Sequence, residues 1–100
     1  MPIYGVLFDA PTGERLMFSQ AVNEQSAWRN VQATYANNRH CVDADLVTCR
    51  EVPGFDAQWP PDVAVLTWRK HPELIEELVA AWDQQEDALA MERRRMRKTT

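Results

Sequence analysis

The chain has 100 residues, which fits one domain able to bury a modest core without staples. Its 45% hydrophobic and 26% charged residues match an ordinary globular protein, and its two cysteines, Cys41 and Cys49, exclude a disulfide framework. Net charge is −4, yet residues 1–92 carry six bases against 15 acids, while 93–100 hold five bases and no acid. An acidic body of this kind repels nucleic acid and the basic end attracts it.

Residues 3–20 read as a β-hairpin. Ile3-Tyr4-Gly5-Val6-Leu7-Phe8 is an aromatic and β-branched run, and Arg15-Leu16-Met17-Phe18-Ser19 alternates polar with apolar. Between them Pro11 presets its φ angle and Gly13 accepts a positive one, which makes a turn. A helix follows, with Asn23 or Ser26 as N-cap and Ala27, Trp28, Val31 and Tyr35 at the spacing of one buried face. It is expected to stop at Asn37-Asn38, because Asn tolerates a left-handed cap.

A third strand is expected over 45–52, ended by Pro53-Gly54. Residues 53–62 hold three of the six prolines and read as a loop or linker. The run Val63-Ala64-Val65-Leu66-Thr67-Trp68 reads as a short helix, with a fourth strand as the alternative that so short a run leaves open. After the break at His71-Pro72, a last helix carries Glu73, Glu76 and Glu77 early and arginines late, which complements its dipole. Leu74, Ile75, Leu78, Val79 and Trp82 give it a docking stripe. Beyond Trp82 only Leu89 and Met96 continue the seven-residue series from Ile75, so the C-terminal half is expected to project into solvent or fray.

The expected fold class is α+β: a hairpin, a helix and a third strand, with C-terminal helices packed on a small antiparallel or mixed sheet. The expected division is one domain over 1–92, with a sheet-helix core at 3–52, a loop at 53–62 and helices at 63–92, then a basic tail at 93–100.

The motifs argue against chemistry at a built site. His40, Cys41, Cys49 and His71 suit a metal, but no close ligand pair of the zinc type occurs, and no metal or other cofactor is expected. Gly5, Gly13 and Gly54 are too scattered for a phosphate loop. Cys49 falls within a strand, and Cys41 neighbours His40 on chain whose side chains alternate, so neither pairs with a base for nucleophilic catalysis. The reading is a non-enzymatic binding protein.

Candidate partner contacts are the loop aromatics Phe55 and Trp59 and the carboxylates Asp43, Asp45, Glu76, Glu77, Asp83, Glu86 and Asp87. The aromatics serve either as interface anchors or as a lid tucked on the core, and the carboxylates either as a docking charge or as plain solubility. Nucleic-acid candidates are Arg93, Arg94, Arg95, Arg97 and Lys98, set against a solvated helix terminus as the simpler reading. No apolar run approaches the roughly 18 residues that span a bilayer, and Met1-Pro2-Ile3-Tyr4 lacks the basic and hydrophobic regions of a secretory signal. A cytoplasmic protein with a protein partner, no membrane contact and room for homo-oligomerisation is expected.

The hairpin, then Gln25-Ser26-Ala27-Trp28-Arg29-Asn30, then the run from Val47 to the Pro53-Gly54-Phe55-Asp56 corner, resembles small accessory proteins of phages and prophages. The likeness covers residues 3–56. It implies a setting in which such proteins bind and block host machinery, as anti-CRISPR proteins do, and it carries over no functional residue.

Overall fold

The computed structural model describes residues 1–11, 13–37 and 44–98, the side chains of 35–37 and 93–98 excepted. The elements are β1 (Ile3–Ala10), β2 (Gly13–Gln20), α1 (Glu24–Asn37), β3 (Asp45–Glu51) and α2 (Pro72–Lys98), with a short 3-10 turn at Asp56–Gln58. The fold is α+β, with a three-stranded antiparallel sheet in the order β2-β1-β3.

The hairpin forms where turn chemistry and alternation require it. Ala10 pairs with Gly13, whose φ of 121° lies in the region that glycine adopts without a Cβ penalty. At α1 the Asn23 side chain caps the helix, its Oδ1 accepting from the Ser26 N–H at 2.8 Å.

Because β1 lies between two strands, its side chains alternate between two cores. Tyr4, Val6 and Phe8 join Ala27 and Val31 of α1 on one face, with Trp28 packed against Phe8 at 5.6 Å between ring centroids. Ile3 lies on the other face with Phe18, Leu78 and Trp82, so α2 covers that side. The sheet is therefore buried on both faces, which explains why β1 reads as a nearly unbroken apolar run.

The sequence expectation of a short helix over 63–68 is not met. Asp62 sits at a φ of 61°, and the chain then lies along the outer edge of β2. Val65 bridges Ser19, the Gln20 N–H donates to the Ala64 carbonyl, and the Leu66 N–H donates to the Phe18 carbonyl. The physical reason is the edge itself: these bonds satisfy backbone groups of β2 that would otherwise lack partners. Val65 then enters the α1 core and Leu66 the α2 core. The tie is reinforced by fully buried Ser19, whose hydroxyl donates to the Ala64 carbonyl at 2.8 Å and accepts from the Asn30 amide at 3.2 Å. A single C-terminal helix, α2, then packs on the sheet where more than one was expected.

β3 is the other edge. Its register with β1 shifts between Leu7 and Phe8, which pair with Thr48 and Leu46, so Val47 is the extra residue of a bulge and stays exposed. The 27-residue α2 is about 40 Å long at 1.5 Å per residue. From Asp83 to Glu92 every residue but Gln85 is exposed, so the helix projects past the sheet, giving extents of 48 × 33 × 23 Å. The boundary between acidic body and basic tail falls inside this helix.

Candidate interaction surface

The strongest side-chain constellation joins β3 to α2 and centres on Arg50. On β3 this residue faces the α2 side of the sheet, opposite Gly5 of β1. The missing Cβ of Gly5 leaves room for the Trp82 ring to lie against the strand. The Arg50 guanidinium covers that ring at 3.9 Å from its centroid. Arg50 Nη1 also donates to Glu86 Oε1 at 2.8 Å, and Nε donates to Gln85 Oε1 at 3.4 Å. The Gln85 amide in turn donates to the Glu51 carbonyl at 3.1 Å. One arginine thus clamps the middle of α2 to an edge strand. Glu86, expected among the partner-facing carboxylates, is committed to this clamp, and half its side chain remains exposed.

The aromatic half of the expected interface is corrected at Trp59. That residue is only 7% exposed, and its indole N–H donates to the Val63 carbonyl at 2.7 Å. Buried indole nitrogens need such a partner, and the loop supplies one four residues on. Phe55 is half-buried and packs against the same core, so the two act as the lid.

The carboxylates are better placed. Asp45, Glu76, Glu77, Asp83 and Asp87 are all exposed, and Glu73 joins Glu76 and Glu77 in the first turns of α2. Asp43 lies outside the described residues. Arg93, Arg94, Arg95, Arg97 and Lys98 occupy the last turns of α2 by backbone, and their side chains lie outside the description. Among metal-capable residues, His40 and Cys41 also lie outside it; among the described residues no three His, Cys, Asp or Glu converge.

Two features escaped the sequence reading. Arg50 is one; a base between Cys49 and Glu51, alternating onto a core-facing side, was the available signal. The other is Trp68, 56% exposed on a turn beside exposed Arg69 and Lys70, where an aromatic next to two bases was legible in the chain. A groove of about 470 Å³ between Met1, Val22, Asn30 and Asp62 is open to solvent.

Cys49 is half-buried on the α1 side, its thiol 3.9 Å from the Glu24 carbonyl oxygen. Burial, followed by the Glu24 carboxylate, pushes the thiol up to about 11 from 9.0. Burial and then Glu51 and Glu24 also raise the Tyr4 hydroxyl. Above pH 9.0 an unfolded Cys49 loses its proton while the folded one holds it until about 11, so this group's stabilisation is complete below that window and declines across it. Alkylation of a Cys41→Ser variant at pH 8 is expected to be much slower folded than in denaturant, since the thiolate is the nucleophile. Equal rates would show that the folded thiol is neither shielded nor raised.

Set beside known proteins, this chain matches no family model, no curated protein and no solved structure.

Proposed function

We propose that this protein is a non-catalytic binding module that docks on a basic surface of another macromolecule through the exposed carboxylates of α2. The supporting observation is the row Glu73, Glu76, Glu77, Asp83 and Asp87, all exposed on a helix held rigidly by the Arg50 clamp. The row runs about 21 Å at 1.5 Å per residue, roughly one negative charge per 5 Å, against about 3.4 Å per phosphate along one nucleic-acid strand. A partner groove that normally holds nucleic acid presents the complementary potential, and charge of this kind accelerates capture. The likeness to small phage and prophage accessory proteins suggests a setting, inhibition of a host nucleic-acid-handling complex. No helix among the described residues is long and apolar enough to cross a membrane.

The experiment captures partners from a bacterial lysate, identifies them by mass spectrometry, and measures association with the identified protein. Glu76→Lys with Glu77→Lys is expected to slow association at least tenfold at low salt, with the difference fading as screening shortens. Unchanged association by a folded double variant would sink the reading.

A second reading rests on the basic last turns of α2 together with exposed Trp68, Arg69 and Lys70. It assigns nucleic-acid contact to those groups. Its signature is a salt slope that flattens by about 0.9 log unit per lost duplex phosphate contact when residues 93–100 are removed.

A further inference from the structure

We infer that the projecting half of α2 pairs antiparallel with the same segment of a second copy, making the protein a homodimer. The starting point is that, among the described residues, Glu86 to Glu92 are all exposed on this half. After the clamp at Gln85 and Glu86 the helix runs on for 12 residues to Lys98, about 18 Å. Met91 is 67% exposed. A helix of this length is marginal in water unless a face is covered.

The pattern of residues says what covers it. Positions 83, 87, 90, 91, 94 and 98 fall on one continuous helix face, well rotated from the Trp82 side that meets the sheet. Along that face the order is Asp83, Asp87, Ala90, Met91, Arg94 and Lys98: acids, then apolar residues, then bases. Placed antiparallel about a two-fold axis between Ala90 and Met91, position 83 comes opposite position 98 of the second copy. Position 87 comes opposite 94, and the apolar pair meets itself. Every charge on the face then lies opposite its complement, and symmetry repeats each pairing. Antiparallel helix dipoles add in the same sense. A parallel pair would set acid on acid and base on base. Glu73, Glu76 and Glu77 lie N-terminal to the overlap of the two segments, so the dimer engages Asp83 and Asp87 of the docking row but leaves those three carboxylates free and presents two sets of them.

Mass is measured by sedimentation equilibrium across a wide concentration range. The full chain is expected to rise from 11.6 kDa toward twice that value, less so at high salt. A variant carrying Asp83→Lys and Asp87→Lys presents only bases, and one carrying Arg94→Glu and Lys98→Glu presents only acids. Each alone is expected to self-associate roughly a hundredfold more weakly, because like charges now oppose each other. Mixed one to one, the two are expected to form a heterodimer, a rescue that a folding defect would not give. A full chain that stays monomeric, or variants that dimerise alone and ignore each other, would overturn the inference. The docking experiment substitutes Glu76 and Glu77 and reads association with a partner, whereas this one reads self-association, so failure here leaves the docking experiment standing.

Discussion

Trp82→Ala is expected to destabilise the protein by about 3–5 kcal/mol, the largest effect of any single substitution considered. The ring is 3% exposed and belongs to the core cluster with Ile3, Phe18, Leu66 and Leu78, so its removal opens a cavity between α2 and the sheet. It also strips the Arg50 guanidinium of the face it covers, a contact of about 1 kcal/mol when partly desolvated. A domain of this size has roughly 5–15 kcal/mol in total, so the loss amounts to a large share of stability. Urea titration is expected to show a much lower midpoint with an unchanged slope. A shift worth less than about 1 kcal/mol would mean that α2 does not depend on this residue for docking.

Gly5→Ala is expected to cost about 1–3 kcal/mol by overpacking, although alanine is the better strand residue. A Cβ at this position would collide with Cε3 of Trp82, lie 2.5 Å from Cζ3 and stand 3.2 Å from Cε1 of Phe18. The Trp82 ring cannot swing aside without losing the Arg50 guanidinium and its place in the core. In a Trp82→Ala background the collision is gone, and the same substitution is expected to be neutral or stabilising by about 0.5–1 kcal/mol. A double-mutant cycle by chemical denaturation measures the change of sign directly. Additive effects would show that Gly5 and Trp82 do not share the space as described. The two predictions bear on function because the Gly5–Trp82–Arg50 stack fixes the direction in which α2 leaves the domain. Both the carboxylate row and the projecting segment inherit that direction.

The sequence by itself determined the local elements whose signals are local. Pro11 and Gly13 set the hairpin turn, and Asn23 set the start of α1. The stripe from Leu74 to Trp82 set the half of α2 that docks, and the lack of a filled seam beyond it marked the half that projects. Those outcomes depend on backbone angles, caps and periodicity within a few residues, which the chain carries openly. The exposure of the α2 carboxylates followed from the same periodicity. What only the tertiary structure decided depended on distant partners. Residues 63–66 carry no periodicity long enough to choose a state, and the open edge of β2, some 45 residues away, chose an extended one. Trp59 became a buried lid because the Val63 carbonyl was within reach of its indole N–H. Arg50 became the clamp because sheet pairing set it opposite a glycine, and that glycine admitted a tryptophan from a helix more than 70 residues further on. For residues 63–66 and for Arg50 the deciding contact was made by a group far away in the chain; for Trp59 the hydrogen-bond partner was only four residues on, but the core it covers was assembled from distant strands and helix.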